Sequence, residues 1–385
     1  MATWATVPTA VPPTPPTVLF NQTVRQVVHL SMGGEHLRIR LTNEFGEQPL
    51  HVGEVRVALR AGAGTDAVVG TDRRVTFGDR ADVSIPAGAP LVSDPVRLHV
   101  QAGADLVVSL YLPDRTPITT LAAFAFQENV VSAGNVTAAP AVRPTATVNQ
   151  YMFLSGVSVR ARGAAIVTLG DSITNGANTV TNANNRWPDL FAQRLRGAGL
   201  LRGVANVGVS GNRLLHDPNP PAGAPAVAYA AYFGQSALRR FDRDVLAQPG
   251  AEYLVVLLGV NDLGHPGTVA PTSEVVSAED LIFGHRQLIA RAHSAGLRAF
   301  GATVLPFKDD TLGFYSPENE RKRRVLNRWI RRSGEYDGVI DFDAAVRDPA
   351  DRGRLRAAYD SGDHLHPNDA GMAALADAIP LRYFR

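Results

Sequence analysis

Tyr253-Leu254-Val255-Val256-Leu257-Leu258-Gly259-Val260-Asn261-Asp262 is the stretch on which the reading of the fold turns. Its first six residues carry no polar side-chain group beyond the Tyr253 hydroxyl. A strand with one wet face alternates apolar and polar residues. A run with no polar face is covered on both sides, as strands of a parallel sheet are. Polar residues arrive only after Gly259, at the carboxyl end, where open parallel sheets bind ligands. Upstream, Ala164–Leu169 is a short apolar run ending at a glycine. Trp187–Arg196 then has helical spacing, Val204–Val207 is a second strand and Ser236–Leu246 a second helix. Downstream come a long helix from Glu279 to Ala295 and a strand over Arg298–Val304. The next helix opens on Ser316-Pro317-Glu318, an N-cap, an N1 proline and an early acid. Gly338–Phe342 is a fifth strand, and Asn368 to Ala378 a last helix. Five such alternations predict a doubly wound, flavodoxin-like α/β domain with a five-stranded parallel sheet over residues 163–385.

The front of the chain has a different grammar. Leu37-Arg38-Ile39-Arg40-Leu41, Val55-Arg56-Val57-Ala58-Leu59 and Val96-Arg97-Leu98-His99-Val100 alternate with period two. Leu106–Leu112 is a more buried version, and Tyr151–Val159 reads as the last strand. Gly33-Gly34, Asn43-Glu44-Phe45-Gly46, Gly78-Asp79 and Pro86-Ala87-Gly88 supply turns between them. Short strands with frequent turns and no helical stretch predict an antiparallel β-sandwich over residues 20–162. Residues 1–19, with Pro8, Pro12, Pro13, Pro15 and Pro16, read as an extended arm.

The bulk properties set limits. At 385 residues two domains are the natural expectation. The chain is 45% hydrophobic and 19% charged, which suits globular cores. Net charge is only +2, so the arginines are nearly balanced by acids and no phosphate-holding surface is implied. Arg321-Lys322-Arg323-Arg324 and Arg331-Arg332 surround Val325, Leu326, Trp329 and Ile330, a core-facing stripe. The basic residues are then expected on the wet face of one helix, and nucleic acid is not an expected partner. With no cysteine, a thiol nucleophile, a disulfide framework and Cys-based metal sites are excluded. No apolar run approaches the roughly 18 residues that span a membrane. Met1–Pro16 lacks the basic and apolar regions of a signal peptide, so the expectation is a mature secreted form, with a cytoplasmic protein as the alternative. Oligomeric state is not legible.

Four segments carry chemistry. Ser172, in Gly170-Asp171-Ser172-Ile173, follows the first parallel strand, where its hydroxyl is sited to attack a carbonyl. By itself this tripeptide also suits a plain N-cap turn. Gly211, in Ser210-Gly211-Asn212, lets the backbone approach a ligand, or simply makes a strand-to-helix turn. Asn261, in Gly259-Val260-Asn261-Asp262, offers a neutral side-chain N–H₂ that suits a developing oxyanion, while Asp262 also suits an Asx turn. In Asp363-His364-Leu365-His366-Pro367 the carboxylate and His366 are three apart, so a tight turn can place Asp363 on one ring nitrogen while the other faces a serine. Two histidines and an acid also suit a metal, although no further ligand cluster accompanies them.

Taken in this order, the segments resemble those of the GDSL/SGNH hydrolase superfamily. Ser172, Gly211, Asn261 and His366 match its four signature residues, and Asp363 stands as the histidine's partner. The resemblance covers about residues 163–385, with Ile173 in place of the usual leucine. The β-rich front, with Asn21–Val28 and Leu41-Thr42-Asn43, resembles the accessory domain of bacterial carbohydrate-esterase-like members. The resemblance implies a serine ester hydrolase with Ser172, Asp363 and His366 as triad. Its oxyanion hole would comprise the Ser172 and Gly211 N–H groups and the Asn261 side chain, and no metal or cofactor is needed. Asp171, Asp262 and His265 are candidates for the substrate pocket. A small-molecule or polysaccharide ester with a short acyl group, extending to acetylated carbohydrate, is the expected substrate. The alternatives are a lipase or phospholipase on longer acyl esters, and a carbohydrate-binding protein without catalysis.

Overall fold

The computed structural model describes residues 1–385, which fall into two compact units, Met1–Gly163 and Ala164–Arg385.

The first unit is built on two antiparallel sheets. In one, Ala2–Ala5, Leu154–Val159, Gly34–Thr42 and Val96–Val100 are neighbours in that order, and Pro90–Val92 also pairs with Gly34–Thr42. In the other the order is Pro144–Val148, Asn129–Ala133, Gln22–His29, Asp105–Leu112, Glu54–Leu59 and Arg73–Val75. Val96–Val100 shows how sequence becomes a half-buried strand: Val96, Leu98 and Val100 are buried while Arg97 and His99 face water. Gln22–His29 departs from alternation, because Arg25 is 1% exposed in its middle. The guanidinium is accommodated by donors meeting acceptors. It reaches the carbonyls of Val136 (3.1 Å), Ala139 (2.6 Å) and Pro140 (3.3 Å) and the Ser109 hydroxyl (3.1 Å). A surface loop is thereby closed over a buried cation.

The N-terminus differs from expectation. Ala2–Ala5 is no free arm but a buried strand paired antiparallel with Leu154–Val159, and Thr9 bridges Leu121. Prolines 8 to 16 obscured it, since a four-residue strand preceding them leaves no periodicity to read. Its anchor is Trp4, 5% exposed, whose ring meets Tyr151 edge to face at 4.9 Å.

The second unit is doubly wound. Its strands are β1 (Ala164–Gly170), β2 (Arg202–Gly208), β3 (Ala251–Leu257), β4 (Arg298–Ala302) and β5 (Gly338–Ile340). They are all parallel in the order β2-β1-β3-β4-β5. The helices are α1 (Ser172–Asn175), α2 (Trp187–Gly197), α3 (Ala237–Phe241), α4 (Val260–Gly264), α5 (Ala278–Ser294), α6 (Pro317–Arg332), α7 (Phe342–Val346) and α8 (Asp369–Asp377). Strand β1 is buried at every position, and β3 from Tyr253 onward. One side of the sheet packs Trp187, Phe191, Phe300, Phe342 and Phe384 into a single core. The winding reverses between β1 and β3, and sheets of this kind bind ligands beyond the carboxyl ends of the strands at that switch.

Helix α6 starts as expected, with the Ser316 hydroxyl accepting from the Asn319 N–H at 3.0 Å. Its basic face does not follow expectation throughout. Arg321 and Arg324 are exposed, but Lys322 and Arg323 are buried. Arg323 is sandwiched between Glu320 (2.7 Å) and Asp343 (2.8 Å). One acid a helical turn back and one twenty residues further on turn it into an internal tie.

Candidate active site

The four segments meet at the carboxyl ends of β1, β2 and β3 and in the loop before α8. Ser172 is the first residue of α1, immediately after Asp171, whose carboxylate caps that helix by accepting from the Ile173 N–H at 3.0 Å. The Ser172 hydroxyl is 2.8 Å from His366 Nε2, and His366 Nδ1 is 2.6 Å from Asp363 Oδ2. The remaining lone pairs of Asp363 take the backbone N–H groups of Leu365 (3.0 Å) and His366 (2.8 Å). Bonding to the His366 ring and to these amides holds its carboxyl far below the usual carboxylate range, against the effect of burial. An ionised Asp363 can only accept. It therefore fixes the proton on Nδ1 and leaves Nε2 to accept from the serine hydroxyl. Ser172 and His366 are both buried, at 6% and 9% exposure. His364 turns the other way, toward Asp360, and takes no part in this relay.

Two further side chains, not foreseen from sequence, support the acid. Asn178 donates to Asp363 Oδ2 at 2.8 Å, and Ser361 lies 3.2 Å from Oδ1. Asn178 adopts a left-handed backbone, φ 63°, on a turn nearly two hundred residues upstream, so no local signal reveals it.

Each of the three oxyanion candidates keeps an N–H that the protein does not use. Neither the Ser172 nor the Gly211 backbone N–H is used within the protein. Gly211 has φ 76°, and a Cβ there would lie 2.1 Å from the Phe233 ring, so both backbone and space require glycine. Asn261 Nδ2 donates to the Asn212 carbonyl at 2.9 Å, which fixes the amide plane and leaves its second N–H unused.

Asn212, fully buried, is the hub between these parts. Its Nδ2 donates to the carbonyls of Phe233 and Gln235, both at 2.8 Å. Its Oδ1 accepts from Arg240 Nε at 3.0 Å. Arg240 in turn donates to Val207 O (2.8 Å) and Gly170 O (3.2 Å), so one buried cation ties β1, β2 and the Asn212 turn together. Sequence reading missed Arg240 beside the exposed Arg239. The available signal was spacing: Ala237, Arg240, Phe241 and Asp244 lie on one helical face, with the acid four residues after the base.

Of the pocket candidates, Asp171 and Asp262 accept from backbone N–H groups. Both are 1% exposed. Asp262 accepts from Leu214 N (2.8 Å) and Leu215 N (2.9 Å), holding the turn after Gly211 in place. Burial pushes both carboxyls up, Asp171 to about 7. His265 ends α4 one turn beyond Asn261, packed between the rings of Phe233 (5.2 Å) and Phe314 (5.5 Å). No group of three or more His, Cys, Asp or Glu residues is arranged to hold a metal ion.

The model of the GDSL-like lipase/acylhydrolase family matches residues 168–374, more than half of the chain and all four segments. The chain belongs to this family. It is a GDSL-type serine ester hydrolase of the carboxylic-ester class. Similar solved structures include a lipolytic G-D-S-L protein from Desulfitobacterium hafniense, at 18% identity, covering 56% of this chain and 97% of that one, with a TM-score of 0.40. An acetyl xylan esterase variant from Geobacillus stearothermophilus is 18% identical over 58% of this chain and 95% of its own, with a TM-score of 0.42. An alpha/beta hydrolase from the metagenome of Lake Arreo is 19% identical over 57% and 94%, also at 0.42. No curated protein matches the sequence closely enough to count as a relative. No helix of this chain is long and apolar enough to cross a membrane.

Proposed function

We propose that the protein hydrolyses short acyl esters through an acyl-enzyme on Ser172, with acetylated carbohydrate among its substrates. One observation carries this reading: the continuous hydrogen-bonded line from Ser172 Oγ through the His366 ring to Asp363. The hydroxyl proton passes to His366 Nε2 as Oγ attacks the ester carbonyl. Asp363 holds the ring in the right tautomer and stabilises the imidazolium. The tetrahedral oxyanion is met by the Ser172 and Gly211 N–H groups and the free N–H of Asn261. These donors are fixed in advance by α1, by the Asp262-held turn and by Asn212. His366 returns the proton to the leaving alcohol. Water then attacks the acyl-enzyme with His366 as base, releasing the acid. Support for a short acyl group comes from the Phe233 ring, which crowds the oxyanion side at Gly211.

A p-nitrophenyl ester series from acetate to palmitate, with wild type and Ser172→Ala, tests the reading. Turnover of the short esters by wild type alone, with both proteins folded, is the expected result. Full activity in Ser172→Ala would remove the mechanism. A preference for long chains would replace the short-acyl reading with a lipase.

A further inference from the structure

His265 is an imidazole without a partner. It is 4% exposed, and no protein group hydrogen-bonds either of its ring nitrogens. Burial, with the charge of Arg213 adding to it, lowers it to about 3, so the ring is neutral in ordinary buffers, with one N–H donor and one acceptor nitrogen. The ring nitrogens are not fully sealed from solvent, so they can meet a ligand where the protein itself supplies no partner.

Its position shows what such a ligand would meet. His265 follows Asn261 by four residues, and its N–H bonds the Asn261 carbonyl at 2.9 Å, so the two side chains leave the same face of the helix. Asn261 is the side chain that offers its spare N–H to the oxyanion. On either side of the imidazole stand rings held by close contact with backbone. Phe233 lies against Gly211, where a Cβ would be 2.1 Å from it, and Phe314 lies against Gly264, again at 2.1 Å. Tyr229, 40% exposed, extends the row through Phe233 at 5.6 Å.

We propose that His265, between Phe233 and Phe314, is the seat for the alcohol half of the substrate, and that this half is a sugar ring. A sugar presents apolar C–H faces to aromatic rings and hydroxyls at its edge, and a hydroxyl can both donate to and accept from the imidazole. A plain acyl chain would satisfy the rings but leave His265 unpaired. The assignment rests on the serine-esterase reading and gives it a substrate class.

The experiment compares kcat/KM for an acetylated methyl xyloside with that for p-nitrophenyl acetate, in wild type, His265→Phe and His265→Gln. In His265→Phe the ratio of the two falls by about 5- to 100-fold, the effect of one lost hydrogen bond at a buried polar site, with most of the change in KM. His265→Gln, which keeps a donor and an acceptor, restores part of it. An unchanged ratio in both variants overturns the proposal, as does a gain in His265→Phe on butyrate and hexanoate esters, which would make the rings an acyl seat. Wild type that cleaves p-nitrophenyl acetate but not the xyloside sinks the sugar seat alone. Wild type inert on both sinks the esterase reading beneath it.

Discussion

Replacing Arg240 by Met tests whether one buried cation organises the candidate oxyanion site. The side chain is fully buried and donates to Asn212 Oδ1, Val207 O and Gly170 O. Met keeps most of the volume and removes every donor. Gly170 O retains the Val209 N–H at 3.1 Å, and Asp244 retains Arg243 at 2.8 and 2.9 Å, so neither is stranded. Asn212 Oδ1 has no such replacement. Hydrogen bonds to a charged donor contribute about 1.5–3 kcal/mol each, and breaking a fully isolated buried pair costs about 3–5 kcal/mol. Because Asp244 remains paired, about 4 kcal/mol is expected in all. For a unit of this size that lowers its melting transition by about 8–16 °C. Function falls further than stability alone dictates, because Asn212 holds the Asn261 amide through its carbonyl and follows Gly211 directly. A displacement on the ångström scale of such donors costs roughly 10- to 100-fold in kcat. Differential scanning calorimetry and esterase kinetics below the transition measure both effects. A variant that melts within about 3 °C of wild type and keeps kcat within about threefold would refute the strut argument.

Other outcomes follow from the same geometry. Asn261→Ala removes a side-chain donor and should lower kcat by about 10²–10³, with the melting temperature lowered by about 2–12 °C because the Asn212 carbonyl loses its donor, and a KM-only effect would show that the amide binds ground state. Asp363→Asn leaves the shape but frees the His366 tautomer. Loss of about 10³- to 10⁴-fold in kcat is expected, and full activity would exclude Asp363 as the group that orients His366. Arg25→Met leaves the Ala139 carbonyl without a donor and those of Val136 and Pro140 with only a backbone N–H each, and limited proteolysis should find new cleavage near that loop in the first unit. Burial lowers His285 to about 4. Below its unfolded value near 6.5 the unfolded chain therefore binds a proton that the folded state refuses, so stability rises with pH between about 4 and 6.5. That amounts to about 3 kcal/mol lost on going down to pH 4, and His285→Gln should flatten urea midpoints across the window. Identical slopes in the two proteins would place the acid sensitivity elsewhere.

The sequence by itself determined the α/β architecture, because a strand buried on both faces must lack a polar face, and β1 and β3 show it directly. It also marked Ser172, Gly211, Asn261, Asp363 and His366, since each sits in a short segment whose neighbours reveal its place at a strand end or tight turn. The tertiary structure alone decided which residues hold those groups. Asn178 reaches Asp363, Arg240 reaches Asn212 and Arg323 reaches Asp343 across stretches that share no periodicity. The tertiary structure also made Asp171 and Asp262 backbone anchors and left His265 unpaired among rings. Partner choice for a polar side chain depends on what folding brings within about 3 Å, and local pattern carries no record of it. The same limit hid the strand Ala2–Ala5, whose partner lies some 150 residues further along the chain.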